Sequence, residues 1–590
     1  MGRGFRKAHN YQDFDGCGFF WKWFYRRLEK ELTDADVELI ALGDINGDGI
    51  TDYSLALTRN IEYSFKGFFG RTYSWNREIE KNLVILSGDD GPKVRDLGRT
   101  TGIKGPVIET VALGDINGDG IDDFATLAGG GGFYGLGGPD AGVVGYYGDL
   151  VDDVYITFGG ARKKATSLSS LDGIDGSVIG LKSIGDVNGD GIDDLAANVG
   201  FYYGRGANAT YYGKAIDDTY IIFGGKSLDP VSVGALGFSG NVLDVSALGD
   251  VNGDGFADVA ATVGFYYGYY GYYGQDPDEV SYYGQVTEDV VILFGNGQGG
   301  FDERQSLNRL ADTDGQFVSV EAIGDINGDG VSDFAGVAAN YYGYYGYYGS
   351  DIRDVFLFLG DDNPPVSLGE LAGPEKTAID VYELGDINGD GFADIGIGIA
   401  GYYGNYYGNY YGNYYGQQAE DVLVIFGNPD GETEVSALSA FIGTNEALHG
   451  ATSLGDVNGD GIGDFAVACG GFYGAGVPGE TLLVFGGRDT ALQTLNLKEF
   501  GLSDDAFGDI KALGDTNGDG FADFSVAGYY GYYGSEALKG SSYVVYGGET
   551  TLGIADFAKN ARLGSLEVTQ RVSLDLSPLG DTFSFTDEIF

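Results

Sequence analysis

The chain has 590 residues, 88 of them acidic and 34 basic, for a formal net charge of −54, and it holds 106 Gly and 44 Tyr. A chain this acidic cannot release counterions from a phosphate backbone and is repelled by anionic lipid, which excludes nucleic acid as a partner and adsorption to a membrane surface. With 43% hydrophobic and 14% aromatic residues it can build a core, which excludes disorder, and its glycine follows no Gly-X-Y period and so belongs in turns and loops.

Residues 1–35 read as an aromatic and basic N-terminal extension, with Phe19 to Tyr25 interleaved by Lys22 and followed by Arg26 and Arg27. Its first residues lack the apolar stretch of a secretory signal, and no window of about 18 apolar residues occurs anywhere, so membrane insertion is not expected. Cys17 and Cys469 are too few for a disulfide framework, and neither stands in a metal-ligand spacing.

Residues 36–548 are organised by a string, L/I-G-D-x-N-G-D-G-x-x-D, that occurs eight times at intervals of 59 to 75 residues. An alternating segment such as Val37 to Leu42 precedes it, and a small-residue apolar segment such as Phe124 to Ala128 follows. Next comes a β-branched and aromatic run closed by Gly, such as Val154 to Phe158, and then a weaker stretch such as Val94 to Leu97. These patterns predict four short strands per unit, A to D, with the acidic string joining A to B and a variable loop joining B to C. Four antiparallel strands cannot bury both faces alone, and stacking them radially gives a β-propeller. The expected fold is all-β: eight four-stranded blades with one calcium loop each, in preference to a β-solenoid, whose coils are usually much shorter. The small residues of strand B are expected on the crowded channel side.

Within the first string, Asp44, Asn46, Asp48 and Asp52 place side-chain oxygens at positions 1, 3, 5 and 9, and Ile50 at position 7 can offer its carbonyl. Gly at positions 4 and 6 lets the chain turn sharply. The same five positions recur as Asp115, Asn117, Asp119, Ile121 and Asp123, then as Asp186, Asn188, Asp190, Ile192 and Asp194. They continue as Asp250, Asn252, Asp254, Phe256 and Asp258, and as Asp325, Asn327, Asp329, Val331 and Asp333. The last three sets are Asp386, Asn388, Asp390, Phe392 and Asp394; Asp456, Asn458, Asp460, Ile462 and Asp464; and Asp515, Asn517, Asp519, Phe521 and Asp523. Hard oxygens without His or Cys select Ca²⁺, about eight ions in all, and the nine-residue span between strands differs from an EF-hand. An ordinary Asx-rich turn would explain one copy, but it does not demand carboxylates at 1, 5 and 9 every time. Three crowded carboxylates repel one another without a cation, so the metal should contribute to folding. Extracellular calcium modules bind in the ~10⁻⁴ to 10⁻³ M range, which predicts an extracellular or cell-surface location.

The strings and the Phe-Gly endings at Phe158-Gly159 and Phe223-Gly224 resemble the FG-GAP repeats of integrin α-subunit propellers and related bacterial extracellular proteins, over residues 37–548. The resemblance implies that the acidic loop joins A to B on the lower face and binds calcium through positions 1, 3, 5, 7 and 9. Two features depart from that family: all eight units carry the loop where integrin-type propellers have seven blades and only some loops, and the Gly-Ala-Pro after strand B is absent.

Sixteen Tyr-Tyr-Gly units, holding 32 of the 44 tyrosines, lie between strands B and C. The interaction surface is assigned to Tyr266, Tyr267, Tyr269 and Tyr270, to Tyr341, Tyr342, Tyr344 and Tyr345, to Tyr402, Tyr403, Tyr406 and Tyr407, and to Tyr529 and Tyr530. Their spacing shifts from three to four between tracts, which fits neither a strand face nor a collagen-like helix, so they read as loops on the rim opposite the acidic strings. Such loops either pack on themselves or serve contact, because Tyr combines a large apolar area with a polar hydroxyl. Contact could be with sugar rings or with another copy, and Asn208-Ala-Thr210 is a lone glycosylation sequon.

Residues 549–590 echo the start of a ninth repeat, through Val572 to Leu576 and Leu579-Gly-Asp581, without its acidic loop. They are expected either to clasp the ring by completing a blade begun at the other terminus or to donate a strand to a neighbouring copy. His9 and His449 stand near no recognised catalytic motif, so no enzyme is expected. The function read from the sequence is a secreted, calcium-stabilised structural or adhesive protein forming homo-oligomers or polymers, with a carbohydrate-binding propeller as the alternative.

Overall fold

A computed structural model describes residues 36–573 apart from 67–71, 88–92, 104–106, 131–149, 161–163, 204–212, 226, 271–279, 298–299, 312–315, 345–346, 361–363, 374–375, 402–417, 429–434, 446, 472–477, 488–491, 498–505, 531–537, 550 and 557–569. The alternating and β-branched segments form eight antiparallel sheets, each from consecutive strands.

Blade 1 is β1 (Asp36–Gly43), β2 (Asp52–Lys66), β3 (Thr72–Leu86) and β4 (Lys93–Asp96). Blade 2 is β5 (Val107–Gly114), β6 (Asp123–Gly130), β7 (Leu150–Thr157) and β8 (Ala165–Ser167). Blade 3 is β9 (Ser177–Gly185), β10 (Asp194–Tyr203), β11 (Gly213–Phe223) and β12 (Asp229–Ser232). Blade 4 is β13 (Asn241–Gly249), β14 (Asp258–Tyr270), β15 (Val280–Gly295) and β16 (Phe301–Ser306). Blade 5 is β17 (Gln316–Gly324), β18 (Asp333–Tyr344), β19 (Tyr347–Phe358) and β20 (Val366–Ser367). Blade 6 is β21 (Lys376–Gly385), β22 (Asp394–Gly401), β23 (Gln418–Ile425) and β24 (Val435–Ala437). Blade 7 is β25 (Leu448–Gly455), β26 (Asp464–Gly471), β27 (Pro478–Phe485) and β28 (Gln493–Asn496). Blade 8 is β29 (Ala506–Gly514), β30 (Asp523–Tyr530), β31 (Leu538–Tyr546) and β32 (Thr551–Asp556), with β33 (Gln570–Ser573) added outside β32.

The first strand of each blade touches the first strand of the next, and β29 touches β1, so these eight strands ring the central channel. The protein is an eight-bladed β-propeller. Its core lies between blades: Leu113, Ile156 and Leu168 of blade 2 pack on Val178, Leu195 and Ile222 of blade 3. The closing seam is made the same way, with Tyr53, Leu55 and Ile85 of blade 1 against Leu513, Val544 and Tyr546 of blade 8.

Two expectations change. The small residues of the second strand, such as Ala125, Ala197, Ala261 and Ala335, do not line the channel; they are buried one strand out from it, where small side chains let wedge-shaped blades approach. The second change concerns the tyrosine tracts. At the C-terminal end, β33, which contains Val572, pairs with β32 as a fifth, outermost strand, and Leu576, Leu579 and Asp581 lie outside the described residues. Among the described residues a seam of apolar faces and A-strand contacts closes the circle.

Candidate metal centres and the opposite rim

Each acidic string is the turn between the first and second strands of its blade, and blade 7 shows its bonding in full. Asp456 Oδ1 accepts from the N–H of Gly459 at 2.6 Å and of Asp460 at 3.1 Å, while Oδ2 accepts from Gly461 at 2.8 Å. Asn458 Oδ1 accepts from Asp460 N–H at 2.9 Å, and Asp460 Oδ1 accepts from Ile462 N–H at 2.9 Å. Asp464, the first residue of β26, accepts from Val457 N–H at 2.9 Å and from Gly486 N–H at 2.9 Å. The position-1 carboxylates are half-buried, those at position 5 are exposed, and those at position 9 are fully buried in all eight loops.

Burial dominates the electrostatics. It pushes the carboxyls of Asp123, Asp194 and Asp258 up to about 6, those of Asp333, Asp394 and Asp523 to about 7, and that of Asp464 to about 8. Backbone N–H donors oppose the shift and the loop's other carboxylates add to it, as Asp460 and Asp456 do for Asp464. In blade 5 the backbone of Gly360 takes a φ of 40°, and Asp333 Oδ1 is buried with no hydrogen-bond partner.

Within the loops the position-3 Asn donates to the position-9 carboxylate in blades 1 to 3 and to the position-5 carboxylate in blades 4 to 7. Among the described residues, however, no three acidic, His or Cys side chains stand converged as a metal cage, because each position-1 carboxylate turns onto its own loop's N–H groups. The donor chemistry, hard oxygens around a buried carboxylate that burial disfavours as an anion, suits a hard divalent cation. The orphaned Asp333 Oδ1 fits one as well.

The loops also latch neighbouring blades. The position-8 N–H donates to the position-1 carbonyl of the preceding blade, as Ala522 to Asp456 at 2.9 Å and Gly463 to Asp386 at 2.8 Å. The glycine pair after the third strand donates to the preceding position-2 carbonyl, as Gly548 to Val457 at 2.8 Å and Gly160 to Ile45 at 3.0 Å. Position 7 contributes its side chain as well: Phe521 covers Gly459, where a Cβ would lie 2.2 Å from its Cε1, and Ile50 of blade 1 lies over Gly518 of blade 8. Glycine at position 4 is therefore favoured by φ angles of 72° to 80° in every blade, and at Gly189, Gly328 and Gly459 it is also required by the Phe side chain arriving from the next blade.

A second recurring carboxylate escaped the sequence reading. Asp153, Asp218, Asp354 and Asp421, on the third strands, receive the next N–H and then groups of the outer strand's end. Asp354 accepts from Ser367 Oγ and from Gly369 N–H at 2.7 Å, and Asp218 accepts from Ser232 Oγ and from Gly234 N–H at 2.9 Å. These clips fasten the short outer strands. The signal was present as an Asp within the third strands of blades 2, 3, 5 and 6 and a Ser 13 to 18 residues later.

On the opposite rim the described parts of the tyrosine tracts are strands. β14 runs through Tyr266, Tyr267, Tyr269 and Tyr270, β18 through Tyr341, Tyr342 and Tyr344, and β30 through Tyr529 and Tyr530. Tyr345, Tyr402, Tyr403, Tyr406 and Tyr407 lie outside the described residues. Where loops were expected, the second and third strands continue beyond their blades as two-stranded ribbons, because antiparallel pairing satisfies backbone groups that a loop would leave to water. A bulge precedes several ribbons, with one extra residue such as Asp217, Glu288 or Arg353 in the third strand. At the roots of the blade 3 and blade 4 ribbons, Phe201 and Phe265 are 50% and 42% exposed.

Compared with protein families and with curated proteins, the chain matches none. Among the described residues no helix is long and apolar enough to cross a membrane.

Proposed function

We propose that this propeller is a calcium-stabilised structural or adhesive protein of the cell surface or exterior, built from FG-GAP-like repeats and assembling with copies of itself. Its eight acidic turns would each hold one Ca²⁺ through the side chains at positions 1, 3, 5 and 9 and the carbonyl at position 7. The ion would neutralise the buried position-9 carboxylate and stiffen a turn that already bonds to the next blade, so calcium tightens the seams of the ring. No catalytic role is assigned to these carboxylates.

The observation that carries the assembly reading is the rim of aromatic ribbons projecting past their blades in blades 1, 4 and 5. Electron microscopy and sedimentation of the full chain at millimolar calcium test it: ordered polymers are expected, and isolated discs at every concentration would refute it. The exposed Phe201 and Phe265 favour a second reading, stacking on sugar rings. Glycan binding by chains that remain monomeric would select that reading.

A further inference from the structure

We infer that the outer edges of the Tyr-Tyr-Gly ribbons in blades 4 and 5 are β-pairing edges, and that their partner is the same kind of ribbon on a second copy of this chain. This rests on the self-assembly reading above and names its contact.

The first support is open hydrogen-bonding edges. β14 pairs with β13 only as far as Gly264, and β15 pairs with β16 only from Val291 onward. Between these limits, among the described residues, Phe265–Tyr270 pairs with Val280–Val286 alone, and neither strand has a neighbour on its other side within the sheet. In blade 5, β18 leaves β17 at Ala339, β19 meets β20 only from Phe356, and Tyr341–Tyr344 pairs with Tyr347–Ser350 alone. Two-stranded ribbons are marginal in water, and each free edge is a row of backbone donors and acceptors.

The second support is register. In blade 4, Tyr267 stands opposite Gly284, Gly268 opposite Tyr283, and Tyr269 opposite Tyr282. In blade 5, Tyr342 stands opposite Gly349, Gly343 opposite Tyr348, and Tyr344 opposite Tyr347. Two hairpins with different turns and flanks thus adopt one rule: first Tyr faces first Tyr, and second Tyr faces Gly. The rule repeats every three residues, so a tract satisfies it against any other antiparallel tract, and sliding by one unit preserves it. An outer edge of the same sequence offers the same match to an incoming ribbon.

The third support is charge. In a chain of −54, residues 265–274, 280–286 and 340–350 contain no Asp, Glu, Lys or Arg. Two copies of so acidic a chain repel on balance. The nearest charges are Asp276, Asp278 and Glu279 in the connection and Asp351, and these stretches can pair without placing like charges opposite one another. They also lack Pro and inward charges, the usual guards of a free edge.

Amide hydrogen exchange on the full chain at millimolar calcium tests this, comparing assembled material with dilute monomer. Peptides covering 265–270, 280–286 and 341–350 should exchange at least about tenfold more slowly in the assembly, the change expected when free edges become paired. The double variant Tyr269→Pro with Tyr344→Pro, placed beyond the blades, should keep the thermal midpoint while raising the concentration needed for assembly at least about tenfold. A synthetic nonapeptide of residues 266–274 should compete with assembly. Assembly with unchanged exchange in these peptides overturns the edge pairing and leaves the self-assembly reading standing. A chain that stays monomeric throughout overturns both.

Discussion

The two rims of this ring follow opposite rules. On one, the acidic turns fold backbone donors inward: carboxylates at positions 1 and 9 accept N–H groups, and the turn bonds onward to its neighbour blade. On the other, uncharged ribbons leave the blades and keep their edges open. The charged face turns its donors onto its own carboxylates, while the neutral face leaves pairing edges open. Net charge alone would have suggested the reverse, that acidity makes the reactive surface.

Removing calcium should break this contrast most strongly, by loosening one rim and leaving the ribbons in place. At ten times the dissociation constant each loop contributes about 1.4 kcal/mol, roughly 11 kcal/mol over eight loops if they act independently. Calorimetric scans with and without chelator measure it, and an unchanged midpoint would remove the metal from the account. Next in size is Asp464→Ala, which strips acceptors from Val457, Asn458 and Gly486 in a buried site. A loss of about 3 kcal/mol in chemical denaturation is expected, against near-neutral behaviour for exposed Asp460→Ala in the absence of calcium.

A smaller effect separates the two glycines of one turn. Gly459→Ala meets both a φ of 79° and Phe521, whereas Gly461→Ala meets only a φ of 82° with open space beyond. The second should cost about 1 kcal/mol and the first about 1 to 2 kcal/mol more. Adding Phe521→Ala should recover the difference, and additivity in that cycle would deny the blade-to-blade latch.

The smallest effect belongs to the channel, between the rims. There Lys182 donates to Asp244 Oδ2 at 2.6 Å, and burial together with Asp380 and Glu383 raises the Glu321 carboxyl, which Lys182 partly offsets. A carboxyl raised in the folded state binds protons more readily than in the unfolded chain. Its contribution is therefore most favourable at low pH and declines as pH climbs from the ordinary carboxylate range through the raised value. Glu321→Gln should flatten stability against pH in that window by a few tenths of a kcal/mol, and an unchanged slope would show that the channel is wet enough to screen it.

Much of the fold was legible because its signals are local and repeated eight times. The Asp, Asn and Gly of each string encode a turn within nine residues, and the flanking period-2 segments encode the strands it joins. The tyrosine ribbons were not legible, since a three-residue repeat shows no face against a two-residue pleat and reveals its logic only beside its partner strand. The Asp354 and Ser367 clip was likewise hidden, because its halves lie on different strands and meet only after both have paired. The seam between the last blade and the first was not legible either, because the contact between β29 and β1 joins strands from opposite ends of the chain.

The sequence by itself determined the all-β blades, their number and the oxygen-rich turn in each, since these depend on neighbours within a few residues. The tertiary structure decided which strand lines the channel, why Gly at position 4 admits no side chain, and where the ribbons lose their neighbours. Those are properties of packing between blades, set by wedge geometry and by the ends of pairing, which no single repeat contains.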